Sequence, residues 1–195
     1  MNDKQHDETI LARAGIDADA AHGAVMPPIY LSANFSFDGH GGKRAYDYTR
    51  SGNPTRSQLA DALTALERGA GAVVTGSGMS AVDLVFNLLP ANALVLAPHD
   101  AYGGVWRLLS ALERKGAIRL ALVNQGDGAA FDAALAREPA LVWIETPSNP
   151  LMRVVDIADL SARAHKAGAR VAVDNTFLSP LLQKPLTLGA DFVVH

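Results

Sequence analysis

Ala140-Leu141-Val142-Trp143-Ile144, followed at once by Glu145-Thr146-Pro147-Ser148-Asn149-Pro150, is the stretch on which the fold turns. The apolar run has no polar alternation, so it reads as a strand buried on both faces, and the two prolines end it. Outward from it, runs at 71–75, 93–97, 118–123, 170–173 and 191–194 repeat the pattern, so six strands are expected. Helical periodicities at 79–89, 104–115, 129–137 and 156–167 separate most of them. Short apolar strands alternating with helices predict an α/β fold with a mostly parallel, doubly wound sheet.

Before residue 53 this pattern is missing. Met26-Pro27-Pro28, the glycines between 39 and 42 and only brief periodic segments describe an extended N-terminal arm over 1–52, with one short helix near 9–14. At Asn53 the pattern changes. Asn53 can cap, Pro54 suits a first helical turn, and Leu59, Leu63 and Leu66 recur at helical spacing until Gly69. The large domain is therefore expected over 53–195.

Composition removes several function classes. Lys+Arg 17 against Asp+Glu 20 gives a net charge of −3 with no basic cluster, which argues against nucleic acid or an anionic membrane as partner. Without cysteine there is no thiol nucleophile, disulfide or Cys-based metal site. The polar start MNDKQHDETI lacks the apolar stretch of a secretory signal, and no apolar run approaches the roughly 20 residues of a membrane helix. A cytoplasmic protein is expected. The histidines show no close metal-ligand spacing, so no metal is expected.

In doubly wound sheets ligands bind beyond the carboxyl ends of the strands, and those positions here are polar. They carry Gly76-Ser77-Gly78-Met79-Ser80, His99-Asp100-Ala101-Tyr102-Gly103-Gly104, Asn124-Gln125, Glu145 with its loop, Asp174-Asn175-Thr176 and His195. The first joins a strand to a helix, a place where free N–H groups and hydroxyls receive a phosphate. The glycines could equally serve only a tight turn. Gly76, Gly78 and Ala81 also match the dinucleotide fingerprint, with Asp100 where a ribose-binding acid would stand. Asp174, ending an apolar strand, needs a cationic partner, and a protonated pyridine nitrogen is one. A helix cap or a neighbouring arginine are the other readings of Asp174.

Tyr48-Thr49-Arg50-Ser51-Gly52-Asn53-Pro54-Thr55, Ser77-Gly78-Met79-Ser80-Ala81, Asp100-Ala101-Tyr102-Gly103-Gly104, Glu145-Thr146-Pro147-Ser148-Asn149-Pro150 and Val173-Asp174-Asn175-Thr176-Phe177 resemble, in order and spacing, the pyridoxal-phosphate (PLP) enzymes of Cys/Met metabolism. The resemblance covers nearly the whole chain and implies the large domain of the type I PLP-transferase fold. It also implies pyridoxal 5'-phosphate as cofactor. Ser77, Gly78 and Met79 would hold the phosphate, Tyr102 would stack on the ring, and Asn149 would bond the phenolic oxygen. Asp174 would hold the ring nitrogen, with Thr176 beside it. Tyr102 and Asp174 would be catalytic. Asp47, Tyr102, Arg107 and Asn149 would meet an amino-acid substrate. Tyr48 and Arg50, on the arm, would reach the phosphate bound by a neighbouring subunit, which implies a dimer and usually a homotetramer.

Arg44-Ala45-Tyr46-Asp47-Tyr48 and Ala97-Pro98-His99-Asp100 resemble the family's synthase branch, implying γ-replacement between an O-acylhomoserine, O-succinylhomoserine first, and cysteine to give cystathionine. Lyases and sulfhydrylases share the scaffold. An NAD-binding oxidoreductase domain and a non-catalytic truncated subunit are readings of a different class. The family's Schiff-base lysine is expected just beyond His195, together with a C-terminal domain, so the 195 residues alone are expected to be inactive. Lys184 is expected to be a solvated loop residue.

Overall fold

A computed structural model describes residues 6–195. The chain forms two compact units, Met1–Val74 and Thr75–His195. In the first, α1 (Asp7–Arg13) and α2 (Pro54–Glu67) are joined by a long segment without strands of its own. The side chain of Asn53 caps α2 by accepting from the Thr55 N–H at 2.9 Å, as the sequence predicts. The turn that ends α2 is made by Arg68 in the left-handed region, φ 59°, one residue before the glycine expected to stop it.

The second unit contains α3 (Gly78–Asn87), β1 (Ala93–Pro98), α4 (Gly103–Arg114), β2 (Ile118–Val123), α5 (Gly128–Leu135), β3 (Leu141–Glu145), α6 (Ile157–Lys166), β4 (Arg170–Asp174), α7 (Ser179–Leu182) and β5 (Phe192–Val194). The strands form one sheet in the order β2-β1-β3-β4-β5, and every pair is parallel. Side-chain alternation along the strands feeds two cores. Leu94, Leu96, Val142, Ile144, Val171 and Val173 pack with Phe131 of α5 and Leu160 of α6. Val95, Ala97, Leu141, Trp143 and Ala172 pack with Val82 and Phe86 of α3 and Leu109 of α4. Helices on both faces explain why β1 and β3 are buried at every position. Burial of each Leu or Ile there contributes about 1.5–3 kcal/mol.

Two expectations are corrected. Residues 71–75 form no strand. Val73 is 74% exposed, and the run has no ladder partner among the described residues; a strand exists through its neighbour's hydrogen bonds, which an apolar run does not guarantee. Lys184 is half-buried, its Nζ donating to the Pro180 carbonyl at 2.6 Å, and is not a solvated loop residue.

The strand order reverses at β1, whose two neighbours are β2 and β3. Such a switch point opens a crevice at the carboxyl ends, and the side chains that follow β1, β3 and β4 meet there.

Candidate active site

A cavity of ≈ 560 Å³ lies at those strand ends, within the second unit. Its wall includes Ser77, Gly78 and Met79 of the α3 N-terminus, Tyr102 after β1, Glu145 and Asn149 at and after β3, Asp174 and Thr176 at and after β4, and Val194 and His195 at the end of β5. The structure thus brings together Ser77, Gly78, Met79, Tyr102, Asn149, Asp174 and Thr176, all picked out from the sequence. Arg107 lies in α4 with its Nη1 3.4 Å from where a Cβ on Gly103 would stand, and it does not line the cavity. Asp47, Tyr48 and Arg50 belong to the first unit. There the Arg50 guanidinium lies 5.1 Å from the centre of the Tyr48 ring. Lys43, the Ser51 hydroxyl and the Tyr48 N–H together hold the Asp47 carboxyl at a pKa of about 2.

At the start of α3 the Ser77 side chain caps the helix, accepting from the Ser80 N–H at 3.2 Å, and its hydroxyl lies 2.9 Å from that of Ser80. Gly78 and Met79 occupy the first two helical positions, whose N–H groups have no acceptor within a helix. A Cβ on Gly78 would stand 3.3 Å from the His195 carbonyl oxygen, so bare backbone is what lets the end of β5 approach the turn. Two open N–H groups and two hydroxyls at the positive end of a ten-residue helix suit a phosphate dianion.

Asp174 ends β4 half-buried, between Glu145 on β3 and Val194 on β5 in the ladder. One carboxylate oxygen accepts from the Thr176 N–H at 3.0 Å, and among the described residues Asp174 makes no ion pair. It neither caps a helix nor serves an arginine, so the cavity side of this carboxylate remains available to a cation. The chemistry of the donor set therefore fits pyridoxal 5'-phosphate: a helix N-terminus that would receive the phosphate, a carboxylate that would meet the ring nitrogen, the Asn149 amide that would meet the phenolic oxygen, and Tyr102, Val82, Val105 and Phe177 as largely apolar wall.

The dinucleotide reading meets two obstacles. No strand precedes the Gly76 turn. Asp100, its ribose-binding candidate, accepts from the Ser148 hydroxyl at 2.8 Å, lies 3.7 Å from Arg153 and does not line the cavity.

Sequence reasoning left Glu145, a buried ionisable residue of the cavity wall, without a role. Glu145 is 5% exposed, accepting at Oε2 from the Tyr102 N–H (2.6 Å) and at Oε1 from Trp143 Nε1 (3.2 Å). A carboxylate that ends an apolar strand at its carboxyl end was the available signal, the same one that marked Asp174. Burial raises its pKa to about 7, aided by the charges of Asp174 and Asp100 and opposed by the Tyr102 and Trp143 donors. In the unfolded chain a glutamate titrates near 4.5, so between about 4.5 and 7 the folded chain holds a proton that the unfolded chain has released. The contribution of Glu145 to stability therefore falls as pH rises through that window. Difference infrared spectra of the complete apoprotein against its E145Q variant should show a protonated carboxyl band that disappears with a midpoint near pH 7; a midpoint below 5 would contradict the burial effect.

The family model for Cys/Met metabolism PLP-dependent enzymes matches residues 8–195. Cystathionine gamma-synthase of Escherichia coli (strain K12) is 53% identical over 188 residues, which are 96% of this chain and 49% of that protein. Cystathionine beta-lyase of Lactococcus lactis subsp. cremoris (strain MG1363) is 38% identical over 188 residues, 96% of this chain and 50% of that protein. Among solved structures, cystathionine gamma synthase from Xanthomonas oryzae pv. oryzae in complex with cystathionine superposes with a TM-score of 0.95 at 56% identity, covering 97% of this chain and 49% of that one. The chain spans about half the length of the curated relatives it matches.

Proposed function

We propose, because this chain belongs to the Cys/Met metabolism PLP-dependent enzyme family, that it supplies the cofactor-binding half of a γ-replacement enzyme joining an O-acylhomoserine, O-succinylhomoserine first, to cysteine to give cystathionine. The observation that carries this reading is the cavity itself, whose wall holds both the N-terminus of α3 and, at the end of β4, a carboxylate without an ion-pair partner among the described residues. The similarity to cystathionine gamma-synthases supports the synthase assignment.

In this reading Gly78 and Met79 donate their N–H groups, and Ser77 its hydroxyl, to the phosphate. Asp174 holds a proton on the ring nitrogen by accepting its hydrogen bond, with Thr176 fixing the Asp174 carboxylate through its own N–H. Asn149 donates its amide to the phenolic oxygen. Tyr102 lies against the ring and shields it from water, and its hydroxyl assists proton transfer. Once bound, pyridoxal phosphate supplies an electron sink for charge that develops on the substrate's carbon. Asn149, which lines the cavity, orients the amino-acid substrate. The arm over 1–52 offers Tyr48 and Arg50 to the site of a neighbouring subunit, within a homodimer that pairs into a tetramer in the cytoplasm. Among the described residues no helix is long and apolar enough to cross a membrane.

The complete protein, given O-succinylhomoserine and cysteine, should release succinate and form cystathionine in equal amounts. The relatives also include a cystathionine beta-lyase at 38% identity, so cystathionine alone should be supplied in parallel. Rapid breakdown to homocysteine, pyruvate and ammonia, with no cystathionine formed from the acylhomoserine, would replace the synthase reading by a lyase one.

A further inference from the structure

Among the described residues, Glu145 is the one buried ionisable group of the cavity that this cofactor reading does not use. Its two oxygens face donors from two directions. Oε1 accepts from the indole of Trp143, a side chain with no exposed surface whose ring centroid lies 5.2 Å from that of Phe86. Oε2 accepts from the backbone N–H of Tyr102, which stands at the N-cap of α4 and makes no side-chain cap of its own. The Tyr102 ring meets bare backbone on another side: a Cβ on Gly104 would lie 2.6 Å from Tyr102 Cε1 and 2.9 Å from Met79 Sδ. Tyr102 is nevertheless 43% exposed, so little besides these contacts fixes the ring.

Two converging N–H donors need a group with two acceptor oxygens, and the Glu145 carboxylate, ionised above about pH 7, supplies both. A glutamine in the same space accepts from one donor and turns its NH₂ toward the other. A shorter aspartate cannot span both.

We propose that Glu145 is a positioning residue, tying the backbone of Tyr102 to the buried Trp143 and so setting the aromatic ring against the cofactor's place in the cavity. This rests on the pyridoxal-phosphate reading above and deepens it, since Glu145 acts through Tyr102 and needs no contact with the reacting atoms.

A mutant cycle on the complete apoprotein tests it, with pyridoxal phosphate affinity read by absorbance titration and ring placement read by circular dichroism of the bound cofactor's visible band. E145Q should weaken binding about 3- to 10-fold, the scale of a misplaced aromatic contact, and should diminish the dichroic band. In a Y102A background the same change should alter affinity less than twofold. An equal loss in both backgrounds, or none in either, overturns the proposal. If E145Q does not fold, E145D is read in the same cycle; if neither folds, Glu145 is a folding residue and the proposal is wrong. Failure of the cofactor reading looks different, because the parent protein itself would then take up no pyridoxal phosphate.

Discussion

Replacing Asp174 with alanine in the complete enzyme should lower turnover on the order of 10²–10⁴-fold while much of the cofactor stays bound. The size follows from what is removed. A half-buried cation that loses its only carboxylate costs about 3–5 kcal/mol, and each 1.4 kcal/mol is tenfold in rate. Here that carboxylate is held at the end of β4 by the flanking ladder and by the Thr176 N–H, with no lysine or arginine paired to it among the described residues. The phosphate cradle lies on α3, a separate element, so retention should persist at high cofactor concentration. Asp174→Asn sharpens the reading. Its amide oxygen can still accept from Thr176, which keeps the local turn, but it carries no charge. Steady-state turnover of both variants, with cofactor content measured by absorbance, decides the matter. Near-normal turnover in the Asn variant would show that the charge on Asp174 is not what the reaction uses.

The second large effect is expected at the cradle. Gly78→Asp should weaken pyridoxal phosphate binding about 10²–10⁴-fold. It sets a carboxylate beside the N–H groups that would hold the phosphate, and charge-assisted hydrogen bonds of this kind contribute about 1.5–3 kcal/mol each. A side chain at this position also meets the His195 carbonyl at 3.3 Å, so backbone must shift at the mouth of the turn. The specific readout is selectivity. Titrated with pyridoxal, which lacks the phosphate, parent and variant should differ far less than with the phosphorylated form. Equal losses for both ligands would mean that the substitution damaged the cavity generally and that α3 is not the phosphate site.

Much of this architecture is legible in the residues. The runs at 93–97 and 140–144 lack alternation because β1 and β3 bury both faces, and the helices between the runs have to cover the sheet on two sides. Capping residues mark helix starts locally: Asn53, Ser77, Asp127 and Asp156 each accept from backbone N–H groups two or three positions on. Residues that follow the strands gather at one cleft because a parallel sheet points all its carboxyl ends the same way. The segments that carry Tyr102, Asn149 and Asp174 were therefore legible as lining one cleft, whereas Ser77 and Gly78 follow no strand and reach it at the start of α3, and the role of Asn149 came from the resemblance to the PLP enzymes.

What the sequence determined by itself is the set of things that depend on near neighbours: helix caps, the apolar period of each element, and the parallel topology those periods require. Tertiary structure alone decided the rest. The run at 71–75 has the composition of a strand and lacks a partner, because pairing is a property of two segments. Asp100 stands where a ribose acid is expected, yet Ser148 and Arg153, brought in by the loop after β3, both engage its Oδ2. Glu145 becomes a group that titrates near neutral pH because the core removes its water, a rise that two converging N–H donors, one of them 43 residues away at Tyr102, only partly offset. Desolvation and long-range hydrogen bonding are set by what surrounds a side chain in space, and spacing along the chain does not contain them.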